Sequence, residues 1–301
     1  ASQLPLTGIP SFVGATFAIA FFLTLLSRLI HHLQQGRIRT AQLPAVITVA
    51  PLFPLLFLAV LVPLGSIGNP ALLPTSVLGH DPMLGARFYG IGNELSGLFL
   101  GCLLGASLWQ QTKNYPKQPR WALGLFLTAV FILAPPQLGA NFGAGLTAMA
   151  ITMAFAFYHH QTKTFPAQQI LIYLFSLFLF ALVLLAFDYL FAEPEQHSHF
   201  GLLLNSFKRR GLTAFSEVVR RKLRVNLRLL GSRWTFLFLS TVLTFTGTYW
   251  GTKKSSPRAP FFIALLGGGV GLLSNDSGLV FAALFFYPLA TTGLLIMLNK
   301  R

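Results

Sequence analysis

The sequence predicts an all-α, polytopic helical membrane protein with about nine transmembrane spans, broken or re-entrant segments and one amphipathic surface helix. Three observations predict it. Of 301 residues, 54% are hydrophobic and only 10% charged, whereas a soluble domain carries about 25% charged residues; mean hydropathy is +0.66. The apolar runs, rich in Leu, Ala and 30 Phe, are continuous rather than alternating, which fits spanning helices and excludes a membrane barrel. The cations, 22 Lys+Arg against 7 Asp+Glu, sit mainly between these runs, where they orient a membrane chain and meet anionic lipid heads. In a soluble protein a net charge of +15 would suggest nucleic acid. Here membrane lipids are the expected partner, and nucleic acid is not.

The chain reads as a single integral membrane domain over 1–301, with one extracytoplasmic insert, 192–232. The first span covers about Ile9–Ile30 and the second about Leu43–Leu64, where Pro51, Pro54 and Pro63 are tolerated if neighbours satisfy the freed carbonyls. After a charge-poor loop the third runs from about Gly90 to Trp109. The fourth, about Trp121–Ala134, ends at Pro135-Pro136. The fifth rises from the glycine-rich turn 139–145 to about Tyr158. Both are short for a crossing of about 20 residues, which predicts a broken or re-entrant passage around Asn141. The sixth covers about Ile170–Phe191, the seventh Trp234–Trp250, the eighth Pro260–Leu273 and the ninth Leu279–Leu298. Gly267, Gly268 and Gly269 in the eighth predict close approach of a neighbouring helix. The single cysteine, Cys102, lies in an apolar helix; it rules out an intrachain disulfide and is expected to pack. With no initiator Met and no basic stretch before the first span, the chain reads as a processed or excised piece of something longer.

Placing the loops after spans one, three, five and seven inside, together with the C-terminus, leaves only cations on that face, including Arg37, Arg39, Lys113, Lys117, Lys253 and Lys254. All 7 acids then fall outside. The expected location is the bacterial cytoplasmic membrane, N-terminus out and C-terminus in. Residues 207–230 break this rule with eight cations. Their apolar positions (Leu212, Phe215, Val219, Leu223, Leu227, Leu230) recur at helical spacing, and Arg210, Arg221, Arg224 and Arg228 line another face. This predicts an amphipathic helix on the membrane surface. Either it lies outside, or one span is miscounted and it is cytoplasmic; the loop pattern after it favours outside.

Four polar stretches open on that outer face. Arg87-Phe88-Tyr89-Gly90-Ile91-Gly92-Asn93-Glu94 puts three polar side chains at the mouth of a span. A carboxylate beside hydrocarbon is costly unless paired or wet, so it marks a functional site by default; the plainer alternative is an Arg–Glu pair at a helix start. Gly139-Ala140-Asn141-Phe142-Gly143 is either a ligand contact through Asn141 or a glycine-rich turn. Asn275-Asp276-Ser277-Gly278 is either a site or a tight turn with Asx chemistry. His197-Ser198-His199 fits proton transfer or diphosphate binding better than metal, because H-x-H alone is a weak zinc pattern. No cofactor or metal is called for.

Arg87-Phe88-Tyr89-Gly90-Ile91-Gly92-Asn93 resembles the Arg-x-x-Gly-x-x-x-Asn-like motif of bacterial O-antigen ligases and Wzy-type polymerases. His199-Phe200-Gly201-Leu202-Leu203-Leu204-Asn205 sits where their histidine element stands. The resemblance covers residues 85–230. Their Ser-Arg-Gly break is replaced here by Gly-Ala-Asn-Phe-Gly, and Asn275-Asp276 has no counterpart. The resemblance implies joining of a glycan from an undecaprenyl-diphosphate donor to an acceptor.

The first hypothesis is therefore an enzyme acting on a polyisoprenyl-linked, anionic donor. Arg87 with Arg221, Arg224 and Arg228 would clamp phosphate; Glu94 or His199 would be general base, with Asp276 as a third catalytic residue that positions the acceptor; Asn93, Asn141 and Asn275 would bind substrate. The second is an ion- or proton-coupled transporter or flippase built on broken helices. The third is a non-catalytic scaffold for a soluble domain or partner subunit. Depth discriminates the first two: a transporter places its polar groups near the midplane, an enzyme at the outer face beside a lateral opening.

Overall fold

The computed structural model describes residues 90–114, 120–135, 138–160, 167–191, 210–252 and 258–298. These residues form eight α-helices and no strand. The helices are α1 (Asn93–Asn114), α2 (Arg120–Leu133), α3 (Phe142–His160), α4 (Ala167–Phe191), α5 (Leu212–Leu229), α6 (Arg233–Thr252), α7 (Arg258–Ser274) and α8 (Gly278–Leu298). They coincide with the third to ninth expected spans and the amphipathic segment, most ends agreeing within a few residues. α1 runs furthest past its expected end, from Trp109 to Asn114. The first two expected spans, Arg87 and His199 lie outside the described residues.

The central helix is α8, which packs against α1, α6 and α7 and touches α5. α3 packs between α2 and α7 and carries α4 against another side. Among the described residues, α8 alone holds a stretch long and apolar enough to cross a membrane, Gly278–Met297; the apolar stretches of α1, α2, α3, α4 and α7 are shorter. The core is built from Phe126, Ile151, Leu100, Leu104, Phe281, Phe285 and Leu289, all under 2% exposed.

Gly97, Gly101 and Gly105 set the α1–α8 spacing. A Cβ at Gly97 would collide with the carbonyl of Phe281, at Gly101 with that of Phe285, and at Gly105 it would lie 2.9 Å from Thr292 Oγ1. Glycines four apart line one helix face and let two backbones touch. The expected close approach is found at Gly267 and Gly268, against Ile151 and Phe286 respectively, but not at Gly269, which faces open space with nothing within 4 Å of a Cβ there.

The α2–α3 turn explains why α2 is short, at 14 residues, whereas α3 runs to 19 and is longer than expected. α2 ends ahead of Pro135, which disfavours continuation of the helix at the residue before it. The chain then folds back onto its own helix end: Gly139 N–H donates to Ile132 O (2.9 Å) and Asn141 N–H to Leu133 O (2.9 Å). Carbonyls that a helix terminus leaves orphaned are thereby satisfied without water. Ala140 holds φ +49° within this turn.

Candidate functional site

Three of the four polar stretches meet at one end of the helix bundle. The N-termini of α1 and α3 lie there with the α7–α8 turn. Gly90, at φ +92°, packs where a Cβ would lie 2.7 Å from Gly139 O. Ile91 N–H donates to that same carbonyl at 2.7 Å, joining the first two stretches through backbone. Only glycine takes this conformation and approach together at low cost.

Asn141 is the hub of the side-chain network. Its Oδ1 caps α3 by accepting from Ala144 N–H at 3.0 Å, the usual role of an asparagine before a helix. Its Nδ2 donates to Ile91 O (3.0 Å), Asn93 Oδ1 (3.2 Å) and Ser96 Oγ (3.3 Å). Asn93 Nδ2 donates to Ser277 Oγ at 2.7 Å, which brings in the third stretch. Residues 91–96, 141 and 277 thus form one chain of hydrogen bonds across three helices. Asn141 is buried and both ends of its amide are committed, so it can hold Asn93 in place but has little left for a ligand. Glu94 sits half-buried in the first turn of α1, where the positive end of the helix favours a carboxylate.

Asn275 is 3% exposed; its Nδ2 donates to Gly271 O at 2.8 Å, while its Oδ1 is buried without a hydrogen-bond partner. That oxygen lies where a Cβ on Gly143 would be 2.6 Å away, against the start of α3. A buried acceptor left unpaired costs about 1–3 kcal/mol, so a donor or cation placed here would be stabilised.

The basic helix α5 stands at this same end. Lys222 Nζ donates to Ser274 O at 2.5 Å, at the last turn of α7, and Leu279 N–H donates to Asn226 Oδ1 at 3.0 Å, in the first turn of α8. Lys222 and Asn226, one turn apart, hook α5 over the 275–277 turn. Asp276 Oδ1 lies 3.6 Å from Lys222 Nζ and 3.7 Å from Arg221 NH2. Burial lowers the pKa of Lys222 below its usual value, Asp276 acts in the opposite sense, and neighbouring Arg221 lowers it further.

α5 therefore has three faces rather than the two expected. Arg221 turns toward Asp276, whereas Arg224 and Arg228 turn away and line an open hollow with Arg220, Leu223 and Leu227. Val219, Leu223, Leu227 and Leu230 form an exposed apolar stripe. The structure thus brings together Asn93, Asn141, Asn275, Asp276 and Arg221, and it does not bring Arg224 and Arg228 to them. Lys222, Asn226 and Ser277 were not singled out from sequence. Ser277 was inside a quoted motif, and Lys222 with Asn226 is an i, i+4 polar pair off the main arginine face. Among the described residues no group of three His, Cys, Asp or Glu could hold a metal ion.

The chain matches no family model, no curated protein and no solved structure.

Proposed function

We propose that this is a polytopic protein of the bacterial cytoplasmic membrane, with about nine spans, N-terminus out and C-terminus in. Its polar end faces outward and handles a polyisoprenyl-phosphate-linked glycan or a similar anionic lipid substrate. Large apolar side chains left exposed around the bundle support the membrane part: Phe131 on α2, Leu171 and Phe175 on α4, Phe236 and Leu243 on α6, Leu273 on α7. On α4 the exposed apolar side chains recur along the helix (Leu171, Leu174, Phe175, Phe178, Leu182); water-facing surfaces rarely carry such a run, and lipid satisfies it.

The observation that carries the substrate class is the meeting of Asn93, Asn141 and the 275–277 turn beneath a cationic helix fixed there by Lys222. Neutral amides and hydroxyls position a polar headgroup, and Arg221 with Lys222 supplies charge for phosphate. The polar groups stand at helix ends rather than mid-helix, which favours a surface site over a midplane transport site. In this scheme Glu94 or His199 is the general base, and Arg87 helps to clamp phosphate. The test is glycan transfer from a polyisoprenyl-diphosphate donor by purified protein. Transfer abolished by Glu94→Gln supports the proposal; no transfer by wild type, with any donor of this class, overturns it.

One observation favours the runner-up, an ion-coupled transporter or flippase. The unpaired Asn275 Oδ1 is a buried oxygen at the end of α7, and oxygens at helix ends ligate monovalent cations in transporters. Sodium-dependent uptake into sealed vesicles, lost in Asn275→Leu, would decide for it.

A further inference from the structure

We infer that the Asp276 carboxylate is an internal stand-in for a ligand phosphate, occupying the space between Arg221 and Lys222 until a phosphate oxyanion displaces it. This deepens the proposed anionic-substrate site and rests on it. Both cations approach one and the same oxygen, Oδ1, at 3.7 and 3.6 Å. Charge-assisted hydrogen bonds to a carboxylate are about 2.7–2.9 Å, so at these separations Asp276 is held mainly by charge, with only a long contact to Lys222.

The three groups differ in how tightly they are fixed. Lys222 is anchored independently, because its ammonium donates to Ser274 O at 2.5 Å. An ammonium has three donors, which leaves two for an incoming oxyanion after Asp276 departs. Asp276 is a short side chain on a turn, 43% exposed, and Arg221 is 55% exposed, so the space between them opens to solvent. An ion pair this open contributes only about 0–1 kcal/mol and is readily exchanged. Phosphate offers the guanidinium two oxygens and carries more charge than a carboxylate, so it competes well for the same cations.

Glu217 does not substitute for Asp276. It lies near the start of α5, where it pairs with Arg210 at 3.3 Å. With Asp276 in place the local set Arg221, Lys222, Asp276 carries a single net positive charge. Displacement exposes two, which suits a diphosphate or a phosphate monoester.

The experiment uses the full chain in detergent micelles with two probes: inorganic pyrophosphate, and phosphatidylcholine vesicles carrying a polyisoprenyl diphosphate. Asp276→Asn removes the internal competitor and is expected to tighten binding up to about fivefold. Lys222→Gln and Arg221→Gln are each expected to weaken it about tenfold or more. Arg221 is mostly exposed, so its variant keeps the test valid if Lys222→Gln fails to fold. Tightening toward both probes assigns the phosphate group itself as the ligand. Tightening toward the vesicles alone assigns the lipid-borne form. Binding that needs Arg221 and Lys222 but is not tightened by Asp276→Asn would leave the anion site standing and overturn the stand-in role. No binding of either probe by Asp276→Asn overturns both.

Discussion

Asn141→Ala should be among the most damaging single substitutions at the polar end. Three losses contribute. The α3 cap at Ala144 N–H goes, worth about 1 kcal/mol. The amide's two hydrogens, shared among Ile91 O, Asn93 Oδ1 and Ser96 Oγ, also go. Each net bond is worth about 1 kcal/mol in water and about 0.6 between membrane helices. The sum is about 2–3 kcal/mol, or roughly 30- to 150-fold in the folding constant. Asn141→Ser separates the components, because serine caps as well as asparagine but is too short to span to Ile91. It should recover about 1 kcal/mol of the alanine loss. Reversible unfolding in mixed micelles, followed by helical circular dichroism, measures both. An alanine variant within about 0.5 kcal/mol of wild type, the usual range for an inconsequential surface change, would refute the network.

Gly101→Val should separate α1 from α8, since a Cβ there meets the Phe285 carbonyl and would lie 2.8 Å from Pro288 Cγ. A loss of about 1–3 kcal/mol is expected, whereas Gly124→Val, with nothing within 4 Å, should stay close to wild type in the same unfolding assay. Cys102 is buried, so a maleimide should label it only after unfolding; rapid labelling of the folded protein would contradict its placement. The lowered pKa of Lys222 means that the unfolded chain holds this proton more tightly. Its contribution to stability is therefore least favourable below the lowered folded value and improves as pH rises toward 10.5. Asp276→Asn removes the opposing influence and should move the Lys222 titration lower still, as followed by NMR of isotopically methylated lysine; an upward shift would contradict the assigned contacts.

Helix positions were legible because a membrane-type sequence writes them twice, as apolar runs and as the polar or basic breaks between them. The short α2, ended by Pro135-Pro136, betrayed the tucked turn at 134–141 for the same reason, whereas α3 is not short. Partnerships were harder to read. Asn93, Asn141 and Ser277 are far apart in the chain, and nothing local says that one amide reaches another. The Gly97-x-x-x-Gly101-x-x-x-Gly105 stripe is a visible pattern, but its spacing alone does not name α8 as the partner it meets. On α5, a single face for Arg210, Arg221, Arg224 and Arg228 does not hold, because a helix hooked to protein by Lys222 and Asn226 must divide its remaining cations. Arg221 therefore went to Asp276, while Arg220 joined Arg224 and Arg228. A helical wheel shows angles but not which sector a neighbouring turn will claim.

The proposed outward-facing polar end requires that α6 hold Gly231 on the same membrane face as the 275–277 turn and Gly251 on the opposite one. Impermeant thiol labelling tests it most directly, in a Cys102→Ser background, at Gly231→Cys and Asp276→Cys on one side and Gly251→Cys on the other. The expected result is labelling of positions 231 and 276 from the periplasm alone and of 251 from the cytoplasm alone. Labelling of 231 and 276 from opposite faces, or of all three from the same face, would contradict it.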